Sequence, residues 1–292
     1  MPSDELQTLT ESLIYELVKA FALPQTKPIK QIFRLIFGKP VRAIAEAGIG
    51  LDRVIAEGGL NAGANWLSPK FVKSHQARGV ENIPTSGPLV IASNHPANVD
   101  TMVISAHIHR RDYKVFAGDM PFFRNLPHAS HFAIYTPAKT DMVGRMGALR
   151  ESIRHLKSGC ALLIFPRGLI EADPAFMPHA DGEFHLWSRS LEIFTQRVPR
   201  LQILVTMVSG VISQSAMRHP ITWFRREQRD RQRLAFIYQL LRQMVSGDEI
   251  FGLTPRVTFG EVVSGANQHN ALTEIERAAR RTLGQHMAWS GE

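Results

Sequence analysis

Between residues 89 and 208 short apolar runs alternate with stretches of helical periodicity, and this alternation restricts the fold more than any other feature of the chain. The runs lie at 89–92, 114–117, 132–135, 161–165 and 201–208, with helical stretches at 99–109, 142–157 and 184–197. Short, continuously apolar runs bounded by turn residues have the composition of strands buried on both faces. The alternation predicts an α/β fold with a mostly parallel or mixed sheet flanked by helices. In such a sheet chemistry gathers at the carboxyl ends of the strands, where the loops are free to vary.

A helical segment precedes this region. Over residues 3–23, Leu6, Leu9, Leu13, Leu17, Val18 and Phe21 recur three or four apart, giving one apolar stripe that Pro24 and Pro28 interrupt. Residues 27–42 combine Ile29, Ile32, Phe33, Ile36 and Phe37 with Lys27, Lys30, Arg34, Lys39 and Arg42, without an acidic residue. This basic amphipathic helix suits either packing on a core or lying on anionic lipid. Residues 43–68 carry Gly48, Gly50, Gly58, Gly59 and Gly63, which predicts closely packed but intrinsically weak helices. A boundary near Ser68 and Pro69 divides a helical N-terminal subdomain, 1–70, from an α/β catalytic domain, 71–292. Residues 120–123 read as an aromatic loop, whose Phe122 and Phe123 suit an acyl channel or the core. Toward the end, 223–245 reads as a basic helix, 257–259 and 261–263 as a strand pair, and 273–283 as a terminal helix.

The formal net charge of +8 calls for an anionic partner: a membrane surface, a phosphorylated substrate or a carrier. Nucleic acid is set aside, because no zinc finger, RNP-like strand or base-stacking pattern accompanies the charge. The single Cys160 excludes an intrachain disulfide framework, and beside the run 161–165 it is expected to be buried and inert, in a reducing interior. No run has the length of a membrane span, and the acidic, polar start MPSDELQTLTE is unlike a secretory signal, so the expected location is cytoplasmic and peripheral to the inner face of the membrane. The pairs His107 and His109, and His128 and His131, lack a cysteine set or a clear carboxylate ligand and read as loop histidines, not a metal site. Asp173, Asp181 and Glu183, with His179 and His185, read as a rim over the site or a solvated loop.

The chemistry is expected in PLVIASNHPANVD, residues 88–100. A buried strand leads into a turn that sets His95 on the loop rim and Asp100 in the first turn of the next helix. The carboxylate would hold the Nδ1–H tautomer and leave Nε2 as a base for a hydroxyl or a water. Asn94 and the helix N-terminus are placed to donate to an anion or a developing oxyanion. A second strand and turn, ALLIFPRG at 161–168, faces the first.

NHPANVD resembles the first motif of the glycerolipid acyltransferases, which include the glycerol-3-phosphate and lysophosphatidic acid acyltransferases and are marked by His, four residues, Asp. The resemblance continues through KVFAGDMPFF, FAIY and IFPRG and covers roughly residues 78–210. It implies an O-acyltransferase in which His95 deprotonates an acceptor hydroxyl, Asp100 orients His95, and the acyl group comes from acyl-CoA or an acyl carrier protein. These are substrates; no cofactor or metal is implied. The implied acceptor is a glycerophosphate or lysophospholipid-like lipid at an anionic membrane surface, and substrate contacts are expected at Asn94, Lys139, Phe165, Arg167 and Gly168.

Three departures bear on the acceptor. Arg167 stands where the family's Phe-Pro-Glu-Gly motif has its glutamate, reversing the local charge. Ile134-Tyr135-Thr136-Pro137 stands where the family ends a strand with an arginine for the acceptor phosphate, and Thr206 stands where a proline is usual. Either Arg167 or Lys139 supplies the missing cation, or the acceptor is another lipid or metabolite; a catalytically weak lipid-binding protein is the remaining alternative.

Overall fold

A computed structural model describes residues 4–138, 140–264 and 271–289. Seven strands, β1 (Gln76–Arg78), β2 (Leu89–Ser93), β3 (Tyr113–Gly118), β4 (Ala133–Thr136), β5 (Ala161–Ile164), β6 (Gln202–Ser209) and β7 (Arg256–Ser264), form one sheet. Their order is β1-β7-β6-β2-β5-β3-β4. Neighbours pair in parallel except β6 and β7, which are antiparallel, so the sheet is mixed. The expected pair at 257–259 and 261–263 is one strand, β7; its pairing with β6 shifts register between Leu204 and Thr206, so one long strand replaces a hairpin.

Strand alternation sorts the core into two layers. Leu89 and Ile91 of β2, with Leu163 and Leu204, face α3 (Asp100–Ser105), α8 (Gln214–Arg218) and α9 (Gln228–Ser246). Val90 and Ala92, with Leu162 and Ile203, face α6 (Met142–Lys157), α7 (Ser190–Arg197) and α10 (Ala271–Ala288). Since β2 lies between β6 and β5 with helices over both faces, all of its residues are buried. The residues that follow it therefore emerge at the middle of the sheet's carboxyl edge.

At the N-terminus, α1 (Asp4–Ala20) precedes α2 (Lys27–Leu67), 41 residues in which two helical stretches join across a kink. Pro40 lies within it, and its irregularity is at Gly59, whose φ of 75° and ψ of −173° kink the axis. Tertiary contacts outweigh the poor propensity. Ile14, Leu17 and Val18 of α1 pack with Phe33 and Val41 of α2 on Leu241 of α9. Asp52 of α2 accepts from His128 Nδ1 at 2.8 Å and from the Ala129 N–H at 2.7 Å, tying α2 to α5 (Pro127–His131). Asn61 donates to the carbonyls of Ser105 and Ala106, capping α3 from behind.

Other boundaries differ in detail. The helix expected at 99–109 is the short α3, and the loop at 120–123 contains α4 (Pro121–Arg124) with Phe122 buried. The helix at 184–197 divides into a 3-10 turn, Phe184–Leu186, and α7, while Trp223 lies in a 3-10 turn ahead of α9. Cys160 is half-buried, not buried, because it precedes β5 at the edge of the sheet opposite the His95 turn.

Candidate active site

The turn after β2 places His95 beside the first residue of α3. His95 Nδ1 lies 2.9 Å from Asp100 Oδ2, and the same oxygen accepts the Ala97 N–H at 2.8 Å. Asp100 is fully buried and its Oδ1 has no hydrogen-bond partner among the described residues. Burial pushes its carboxyl up to about 6, against the opposing pull of His95 and the Ala97 N–H. A carboxylate oxygen accepts, so His95 carries the Nδ1–H and its Nε2 is free to accept a proton. The ring stacks on Phe165 at 4.2 Å between centroids, with 18% of the His95 side chain exposed. Phe165, expected among the substrate contacts, thus holds one face of the imidazole.

The other expected residues divide. Gly168 closes the turn after β5, its N–H donating to the Phe165 carbonyl at 2.9 Å with a φ of 64°, where a side chain would be strained. Arg167 donates from Nε to Glu183 Oε2 at 2.9 Å and is mostly buried, while its Nη edge has no hydrogen-bond partner among the described residues. Asn94 turns into the sheet: its Nδ2 donates to the Val208 carbonyl at 2.9 Å and its Oδ1 accepts the Val208 N–H at 2.8 Å. That pairing fixes the His95 turn to β6 and uses both polar atoms of the amide within the fold. Lys139 lies outside the described residues.

At the second-motif position, Arg124 of α4 lies over the Tyr135 ring at 4.1 Å and is paired with Asp119. A cavity of about 280 Å³ opens there, lined by Lys114, Arg124, Tyr135 and Glu151 among others. With Asp119 and Glu151 present, its cations are largely compensated.

Two carboxylates of the loop after β5 are buried within the fold. Asp173 is no part of a solvated rim: it is fully buried and accepts N–H groups from Ala175, Gly210, Val211 and Ile212. Glu171, which no sequence pattern singled out, lies behind His95 and is also buried. Its only signal was its proximity to IFPRG.

Residues 74–208 match the family model described as Acyltransferase. The matched segment begins before β1 and ends in β6, and it contains His95, Asp100, Arg167, Glu171 and Asp173. No curated protein matches the chain. Among solved structures, the chain is similar to the 1-acyl-sn-glycerophosphate (LPA) acyltransferase PlsC from Thermotoga maritima, with 13% identity, 98% of each chain covered and a TM-score of 0.49. In the matched segment the sheet topology brings the turns after β2 and β5 together at adjacent strand ends.

Proposed function

We propose that the protein moves a fatty acyl group from an acyl thioester, acyl-CoA or acyl carrier protein, to a hydroxyl of an anionic lipid acceptor at a membrane surface. The observation that carries this is the His95–Asp100 pair, with Nδ1 held by a buried carboxylate and Nε2 unencumbered. An acceptor hydroxyl seated at Nε2 loses its proton as its oxygen attacks the thioester carbonyl. The resulting oxyanion collapses, the carbon–sulfur bond breaks, and the imidazolium returns the proton to the departing thiolate. Asp100 stabilises that imidazolium, so acyl transfer needs no covalent enzyme intermediate.

Arg167 supports an anionic acceptor. A mostly buried guanidinium with a free Nη edge is suited to a phosphate or carboxylate, and it lies on the same turn as Phe165, which stacks on His95. With purified protein, thiol release from palmitoyl-CoA is expected only with an acceptor, and glycerol-3-phosphate, lysophosphatidic acid and uncharged hydroxylated lipids distinguish the classes. Arg167→Ala is expected to raise KM for the anionic acceptor roughly 10- to 100-fold while leaving donor KM unchanged. An equal loss with anionic and uncharged acceptors would assign Arg167 to structure alone.

The membrane contact is supported by the outward face of α2. Ile29, Phe33 and Phe37 pack inward, whereas Ile32, Leu35 and Ile36 are exposed, Leu35 at 88%. Two further exposed aromatics lie in the turn before α9: Phe224, 73% exposed and edge-on to Phe21 at 5.9 Å, and Trp223. Lys27, Lys30 and Arg34 lie on the same helix, Arg34 paired with Glu11, and Arg226 and Arg229 follow Phe224 in sequence; apolar side chains with neighbouring cations suit anionic headgroups. Among the described residues no helix is long and apolar enough to cross a membrane. The double variant Leu35→Glu, Trp223→Glu is expected to weaken binding to phosphatidylglycerol vesicles at least about tenfold in co-sedimentation, given the apolar area each side chain buries. Unchanged binding would remove this face from the reading.

A further inference from the structure

The reaction scheme so far uses His95 and Asp100, yet a second buried carboxyl meets His95 from behind. Glu171 Oε2 accepts the His95 main-chain N–H at 3.1 Å, and the Glu171 N–H donates to the His95 carbonyl at 2.9 Å. Its other oxygen, Oε1, accepts the indole N–H of Trp187 at 3.1 Å. From α9, Gln232 Nε2 donates to the carbonyls of Pro96 and Glu171 at 2.8 and 2.7 Å, closing the two turns on each other. The imidazole is thus fixed at Nδ1 by Asp100, on one face by Phe165, and through its own main chain by Glu171.

We propose that Glu171 is a positioning residue for acyl transfer, whose carboxylate clamps the main chain of His95 and so sets where Nε2 stands. This rests on the reading of His95 as the base. The pocket suits an acceptor-only group: both oxygens face N–H donors, so an amide turns its NH2 against one of them, and a protonated carboxyl accepts more weakly at one oxygen. The clamp is complete in the ionised form.

Burial opposes that form and pushes the Glu171 carboxyl up to about 8, helped by the Glu183 carboxylate and resisted by Trp187, the His95 N–H and the Arg167 guanidinium. Across His95 stands Asp100, the same loop carries Asp173, and α9 presents the neutral amide of Gln232. The clamp therefore tightens as pH rises through that range.

Glu171→Gln tests it. The expected result is a fall in kcat for thiol release of about 10- to 100-fold, with KM for donor and acceptor within about twofold, since the base is displaced while the binding surfaces remain. In the native protein kcat is expected to rise with a group titrating near pH 8, and the variant loses that rise. Trp187→Phe keeps the carboxylate but removes one donor, and should move the rise to higher pH. A kcat within twofold of native, or a fall with the native pH profile intact, overturns the proposal. Histidine-labelled NMR reads the same arrangement without turnover: the Nδ1–H resonance of His95 is expected to be sharp in the native protein and shifted or broadened in Glu171→Gln. If native protein shows no His95-dependent release, the acyl-transfer reading fails, and an unchanged His95 resonance in the variant separately overturns the clamp.

Discussion

His95→Ala is expected to lower acyl transfer roughly 100- to 10,000-fold, with donor and acceptor KM values little changed, because it removes the only proton acceptor that the Asp100 carboxylate orients. Asp100→Asn is expected to cost about 100-fold, for a different reason. Asparagine can keep a carbonyl oxygen where Oδ2 receives His95 Nδ1–H and the Ala97 N–H, and its amide then occupies the place of the partnerless Oδ1. Geometry survives and the charge that stabilises the imidazolium is lost. The native pH profile should show the pair directly. Below about pH 6 the buried Asp100 takes up a proton, the negative charge behind the base disappears, and kcat/KM falls. Steady-state thiol release measured from pH 5 to pH 9 for the three proteins checks both points; turnover in His95→Ala at the native level would end the base assignment.

Asp173→Ala is expected to be the most destabilising of the substitutions considered, by about 3–5 kcal/mol in urea unfolding. The carboxylate is fully buried and receives four main-chain N–H groups, from Ala175 at 2.9 Å, Gly210 at 2.8 Å, Val211 at 3.1 Å and Ile212 at 3.4 Å. Alanine leaves four donors facing a cavity, and the loop that carries Glu171 loses its attachment to the end of β6. Asp173→Asn keeps one acceptor oxygen and should cost about half as much. A loss below about 1 kcal/mol for the alanine variant would mean that the loop finds other acceptors, and that the anchor assigned to Asp173 is dispensable.

The contrast between these two aspartates shows what the sequence made legible. Asp100 was found because its partner is local: the strand, the turn and the helix start are contiguous, and the spacing to His95 carries the geometry. Asp173 pairs with donors at Gly210, Val211 and Ile212, brought to it by the docking of β6, and in a loop with prolines and acidic neighbours it has the composition of a solvated residue. Glu171 was missed for the same reason, since its partners Trp187 and Gln232 come from distant segments. Strands β2 to β6 were visible as apolar runs, whereas strand order and the joining of two runs into β7 depend on contacts that no local pattern encodes. Asn94 was assigned a donor role from its position alone; its peptide-like pairing with Val208 needs β6 alongside β2. In α2, glycine content pointed to weak helices, and packing against α1 and α9 overrode it.

The outermost strands have a consequence for behaviour at high concentration. The two longest strands, β6 and β7, lie inside the sheet, while β1 at one margin has three residues and β4 at the other has four. Beyond β1, the Asn82 side chain takes up the Phe259 carbonyl of β7, and Pro137, which has no N–H to offer, follows directly on β4. A second copy approaching either margin meets a ladder of only a few rungs, so the apolar strands that build the interior offer a poor template for growth into fibrils.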